Sequence, residues 1–441
     1  MDLKIKDIIP RQILDQNGNP TVEVELILSD DSRHFASVPV ISPNSPIKEL
    51  RDENAKDKYN GKGVLQALVN IDIMITPNLI GIDPREQQKI DNIIKEIDLS
   101  RDLINVGANS ALAVSIAVLK AGAYIDKIPI YSHVTQLLKK NYSVAFAPNL
   151  AFPTPVIILM EGGNKNSNNL AINEFGIIPL GIKDIREKIR AGSEITHKLK
   201  ELLEKNKFES GVGVRGGFIP NLENDQTALD LITEAITQCN YDPKGEVGIY
   251  INPNMSDYYI KERQLYIFPH QKLNDKTLNI EGQYKELLEF YIDLVSKYTI
   301  VAIENAFDKD DWPGYSAINP LMEAQGRFCI VDELVNNDED LIEKVVKTGG
   351  TNMVALSTQG SGLISNVLSN IAICKKNNLK IMISDNTTST GDVISSHLTI
   401  GTQSELIKAG SLYNSYGIDK LNEFMRMITP EMARKILNIN Q

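Results

Sequence analysis

Cysteine is scarce in this chain, and basic charge is outweighed by acidic charge. Cys239, Cys329 and Cys374 are the only cysteines in 441 residues, and they fall in no CxxC-type spacing. That pattern excludes a disulfide framework and reads as three reduced thiols packed as small apolar side chains. Reduced thiols fit a reducing compartment, so a cytoplasmic location is expected. Lys and Arg number 46 against 57 Asp and Glu, a net charge of −11. A general nucleic-acid binder needs a basic face to neutralise phosphates, so none is expected here. The opening MDLKIKDIIP lacks the apolar core of a secretory signal. No apolar run approaches the roughly 20 residues that span a bilayer, so no membrane association is expected. His34, His133, His197, His270 and His397 stand at no metal-ligand spacing.

What is present is the balance of an ordinary globular protein, 42% apolar and 23% charged, which is enough to build packed cores. A length of 441 residues exceeds one core, and a barrel uses about 250 residues as a single domain, so two domains are expected. The division is placed at 1–135 and 136–441.

In the first domain, Thr21 to Leu28 (TVEVELIL) alternates apolar and polar residues, the pattern of a half-buried strand. The turn residues Asn17-Gly18-Asn19-Pro20 precede it and predict a hairpin with the segment from Ile5 to Leu14. GANSALAVSIAVLKAGAY, residues 107–124, has no internal breaker and predicts a buried helix. This half reads as an α+β cap.

The rhythm then changes. Short β-branched apolar runs occur at 155–160, 247–252, 299–303, 328–331, 353–356 and 381–383, with helix-length segments such as 340–347 and 363–376 between some of them. Continuous apolar strands alternating with helices predict a parallel sheet covered on both sides, closed as a TIM-like (β/α)8 barrel. The overall class is therefore α/β. Barrels carry their chemistry where strands end. The strand ends offer Glu174, Glu304, Asp332, Asp385 and Lys408. Carboxylates at successive strand ends can hold Mg²⁺, which prefers oxygen ligands. Each can also simply cap a helix, and both readings stay open.

Several long motifs in order resemble enolase, from about Ile13 to Met427. ILDQNGNPTVEVEL is similar to ILDSRGNPTVEVEL, and YNGKGVL from Tyr59 to YxGKGVL. Asn173-Glu174-Phe175 resembles QEF, AIENAFDKDDW resembles SIEDPFDQDDW, and IKAG with FMRM resembles IKTG with LMRI. The resemblance implies an enolase-type fold: a cap domain, then a barrel, in a homodimer. Two Mg²⁺ and 2-phosphoglycerate would sit at the barrel mouth. Enolase removes a weakly acidic proton and expels water to give phosphoenolpyruvate, using a base assisted by metals that take up the developing charge.

The catalytic parts do not carry over. Aligned on NSLLLKVNQIG, the base lysine falls on Ser357. Aligned on GDEGGFAP, the acid glutamate falls on Arg215. One metal aspartate falls on Tyr250, or on Asn252 if a gap shifts, while Glu304 and Asp332 keep the other two metal positions. The HRS of VSHRSGE becomes Asp385-Asn386-Thr387, and the histidine of NGGSHAGN becomes Lys165. The SGAST loop becomes Val40-Ile41-Ser42-Pro43-Asn44, stiffened by Pro43 and Pro46. Glu174 and Lys408 remain. Groups acting as one unit lose nearly all activity when one goes. Dehydration of 2-phosphoglycerate is therefore not expected. No cofactor is expected either, with Mg²⁺ binding weakened by the missing ligand.

Two functions stay open. One is a pseudoenzyme with a binding or regulatory role, alone or beside a protein partner. The other is a repurposed enzyme acting on a phosphorylated or phosphono carboxylic acid such as phosphoenolpyruvate, similar to carboxyphosphonoenolpyruvate synthase. In that case Lys165, Glu174, Arg215, Asp385 and Lys408 would line an anion site. Arg215 is expected to sit beside Glu304 and Asp332 and neutralise them, since buried carboxylates need a counter-charge. Asn17 replaces an arginine of the family's subunit contact region, while Glu23 is kept. A homodimer is still expected.

Overall fold

The computed structural model describes residues 3–42, 45–147, 151–164, 166, 168–273, 276–384 and 389–428. The chain divides into two compact units. One comprises Met1–Ala151, Val335–Lys347 and Val354–Glu405; the other comprises Phe152–Leu334, Thr348–Met353 and Leu406–Gln441.

The first unit begins with an antiparallel sheet of β1 (Ile5–Leu14), β2 (Pro20–Leu28) and β3 (Arg33–Ser37), in that order. The predicted hairpin is present. The Asp15 carboxylate accepts from the backbone N–H of Asn17 at 2.8 Å and of Asn19 at 2.9 Å, and Gly18 takes φ +72° to close the turn. The half-buried alternation expected of β2 is not what forms, because eight of its nine residues are buried. As the central strand it packs under the helix Ala108–Asp126. Glu25 is also buried, and it is neutralised by Arg11 of β1 and Arg33 of β3. That helix corrects one expectation. It is long and apolar enough to cross a bilayer, yet 83% of its apolar window is buried inside the protein, as in a core helix.

Within the same unit a buried carboxylate caps a helix from outside. Asp91, on the helix Gln87–Asp98, accepts from the Ser365 backbone N–H at 2.8 Å and from the Ser115 hydroxyl at 2.7 Å. Ser115 Oγ in turn accepts from the Ile364 N–H at 3.0 Å. Two unpaired N–H groups at the start of Ile364–Lys376 are thereby satisfied.

The barrel strands are β4 (Thr154–Glu161), β5 (Glu174–Ile178), β6 (Gly248–Asn252), β10 (Ile300–Glu304), β11 (Phe328–Val331), β12 (Met353–Leu356), β13 (Lys380–Ser384) and β14 (Leu406–Gly410). Between β6 and β10, the strands β7 (Tyr259–Ile260), β8 (Leu265–Leu273) and β9 (Lys276–Gly282) form a separate sheet that the sequence pattern did not suggest. The eight barrel strands close in the order β10-β11-β12-β13-β14-β4-β5-β6. All six predicted runs are strands, and they read as continuous apolar segments because each is covered on both faces. The sheet is not parallel throughout: β5 runs antiparallel to β4 and to β6. Among the described residues no helix lies between Glu161 and Glu174, and the chain turns back instead of crossing over.

Candidate functional site

The reversal of β5 has a chemical consequence. Its first residue, Glu174, pairs in register with Glu161 at the end of β4 and with Asn252 at the end of β6. Three polar side chains therefore meet at one end of the second unit. Tyr250 and Asn252 are two apart on β6, so both point to the same face. Glu304 ends β10, Asp332 follows β11 and Lys408 lies within β14.

Lys408 links two of these acids. Its ammonium is 2.7 Å from Glu174 Oε2, and 3.1 and 3.2 Å from the two oxygens of Glu304. The Tyr250 hydroxyl donates to Glu304 Oε2 in a short hydrogen bond and lies 3.2 Å from Glu174 Oε2. Asn252 Nδ2 donates to the same Glu174 oxygen at 3.1 Å. Arg215 Nε stands 2.9 Å from Glu174 Oε1, and its Nη1 donates to Asn173 Oδ1 at 3.4 Å. The Nε–H is not aimed along the carboxylate contact, so charge attraction holds this pair more than a hydrogen bond does.

The expected pairing of Arg215 with Glu304 and Asp332 is therefore not what forms. Arg215 pairs with Glu174, because Glu304 already holds Lys408 on both oxygens and Tyr250 on one. The Asp332 carboxylate has no hydrogen-bond or ion-pair partner among the described residues; only its backbone N–H is engaged, donating to Asn305 Oδ1 at 3.2 Å. Tyr250 stands against Glu304. Lys165 and Asp385 lie outside the described residues, as do Asn386, Thr387, Pro43 and Asn44.

Ser357, which the motif resemblance aligns with the base, belongs to the first unit. Its hydroxyl accepts from the Gly360 N–H at 3.0 Å and caps the short helix Thr358–Ser361, while its own N–H donates to Asn337 Oδ1 at 2.9 Å. The side chain is engaged as a helix cap.

One residue of the site escaped the sequence reading. Glu161, buried at the end of β4, accepts from the Gly217 N–H at 2.7 Å. A Cβ at Gly213 would lie 2.5 Å from Glu161 Oε2, and one at Gly217 would lie 3.0 Å from its Cγ. A side chain at either position would have to push the Glu161 side chain aside. The available signal was an acid at a barrel-strand end, directly before Gly162-Gly163.

Two family models cover the chain. The model described as the enolase N-terminal domain matches residues 5–134, and the model described as the enolase C-terminal TIM barrel domain matches residues 149–437. The chain belongs to the enolase family.

On this enolase frame the electrostatics follow from burial and pairing. Burial would raise the Glu174 carboxyl, but Lys408 and Arg215 outweigh it and bring it down to about 2. Burial alone would discharge Lys408, and the two carboxylates reverse that and hold it above its ordinary value. Burial first, and then the charges of Glu304 and Glu174, push the Tyr250 phenol well up, so it remains a donor. Asp332 is raised to about 7 by burial and then by neighbouring Glu304. Burial likewise raises Glu161, against the Gly217 N–H and the Arg215 charge. Among the described residues, no group of three or more His, Cys, Asp or Glu side chains is arranged to hold a metal ion.

Proposed function

We propose that this enolase-family chain is a pseudoenzyme with a binding or regulatory role that does not dehydrate 2-phosphoglycerate. The observation that carries this reading is Arg215. It is a permanent cation fixed to Glu174, and the motif resemblance aligns it with the family's acid, so no proton would be given to a leaving hydroxide there. Ser357 supports the same reading, since a hydroxyl engaged as a helix cap does not replace an amine base.

The alternative, a repurposed enzyme for a phosphorylated or phosphono carboxylic acid, needs free cations. Arg215 and Lys408 are both engaged by carboxylates, so an incoming anion would have to displace Glu174 from each. This favours the pseudoenzyme. Three free cysteines, two of them buried, support placing the protein in the cytoplasm. The family's homodimer is part of the same proposal, and light scattering reads it directly.

A thermal-shift screen with phosphoenolpyruvate and simple phosphonates tests the choice. The pseudoenzyme reading expects no shift, together with a stoichiometric protein partner when the full chain is purified from its native source. A saturable shift with either ligand would instead support the repurposed enzyme.

A further inference from the structure

The Mg²⁺ ions implied by the family need hard oxygen ligands whose lone pairs are free. The donors present do not fit. Both oxygens of Glu304 lie within 3.2 Å of the Lys408 ammonium, and Oε2 also takes the Tyr250 proton. Glu174 Oε2 is held by Lys408 at 2.7 Å and by Asn252 at 3.1 Å. A cation approaching these acids would have to displace an ammonium and would meet an O–H donor where a third carboxylate is required. Of these acids only the Asp332 carboxylate has no hydrogen-bond or ion-pair partner among the described residues, and one such ligand does not hold a hydrated Mg²⁺ firmly.

The packing points the same way independently. Tyr250 is fully buried, and its ring lies 5.5 Å from the Lys408 ammonium, within cation–π range. The adjacent strand makes room for that ring. Gly176 on β5 pairs in register with Tyr250, and a Cβ there would stand 3.2 Å from Tyr250 Cδ1 and 2.7 Å from the Ile157 carbonyl oxygen. The phenol is thus seated in a space left for it by a neighbouring glycine. A metal ligand lost passively would not come with such a seat.

We infer that Lys408 and Tyr250, with Gly176 making room, form a covalently built-in substitute for the divalent cation, so that the carboxylates at this barrel end are neutralised without metal. This deepens the non-dehydrating reading and rests on it. The ammonium supplies the positive charge between Glu174 and Glu304, and the phenol supplies a proton where a metal would have supplied charge. Arg215 completes the set by covering the far oxygen of Glu174.

The test is calorimetric titration of Mg²⁺ into the full-length protein, with melting followed in chelator and in Mg²⁺. The wild type is expected to give no saturable heat and the same melting temperature in both. Tyr250→Asp restores a third carboxylate and is expected to gain a melting temperature that rises with Mg²⁺. Tyr250→Phe keeps the ring, loses the proton and is expected to melt lower with no response to Mg²⁺. Saturable, stoichiometric Mg²⁺ binding by the wild type would overturn the inference, and so would a Mg²⁺ response in Tyr250→Phe. If Tyr250→Asp does not fold, the other two proteins still decide. Failure here is separable from failure of the proposed function: metal binding without turnover sinks only the inference, and turnover of 2-phosphoglycerate sinks the function.

Discussion

The ammonium of Lys408 lies 2.7 Å from Glu174 Oε2, and both side chains are largely removed from water. Breaking one partner of a buried pair leaves an uncompensated charge, which costs about 3–5 kcal/mol. Lys408→Met leaves Glu304 without a cation among the described residues, while Glu174 keeps Arg215, so a loss within that range is expected in urea unfolding. A Lys408→Met protein as stable as the wild type would show that the pair contributes no net stabilisation.

Gly176 should tolerate no side chain. Overpacking a filled core costs about 1–3 kcal/mol, and the added methyl of Gly176→Ala would meet the Ile157 carbonyl oxygen at 2.7 Å, inside contact distance. Thermal melting should show that loss, and near-ultraviolet circular dichroism should change as Tyr250 is displaced. An unchanged aromatic spectrum would contradict the seat described for the ring.

Asp91 provides a pH dependence of known sign. Burial raises its carboxyl above the ordinary 3.8, against hydrogen bonds from Ser115, Ser365 and Gln87. A raised folded-state value means the contribution is fully present below 3.8 and is lost as pH rises through the folded value. Asp91→Asn lacks that titration and keeps one side-chain oxygen where Asp91 uses two to accept from Ser365 and Ser115. The wild type's stability advantage over Asp91→Asn should therefore be largest in acid and narrow as pH rises. Urea unfolding across that range checks it, and an advantage that widens with pH would contradict it.

The cysteines should separate by reactivity. Burial pushes the Cys329 and Cys374 thiols up to about 12, whereas Cys239 is only half-buried. Because thiolate is the reactive form, a thiol reagent should label Cys239 in the native protein and all three thiols after denaturation. Native labelling of Cys329 would contradict the packing around β11.

Much of the frame was legible because its signals are local. The apolar runs that became β4, β6 and β10 to β13 announce themselves without knowledge of their neighbours, and so does the Asp15 to Asn19 turn. The reversal of β5 was not legible from apolar content; it goes with the absence of a helix among the described residues between Glu161 and Glu174. At the site, residue types read one by one located Tyr250 beside Glu304. The partner of Arg215 could not be read that way, because it depends on which carboxylate Lys408 and Tyr250 have already taken. Glu161 was missed for a related reason: its role comes from two glycines more than fifty positions away in sequence, Gly213 and Gly217.

The most direct test of the whole account is a dehydration assay with 2-phosphoglycerate at saturating Mg²⁺, followed by the ultraviolet absorbance of phosphoenolpyruvate. Arg215 fixed on Glu174 and Ser357 engaged as a cap predict no rate above the uncatalysed background, at any protein concentration. A Mg²⁺-dependent rate proportional to protein concentration, and lost in Glu304→Gln, would contradict it.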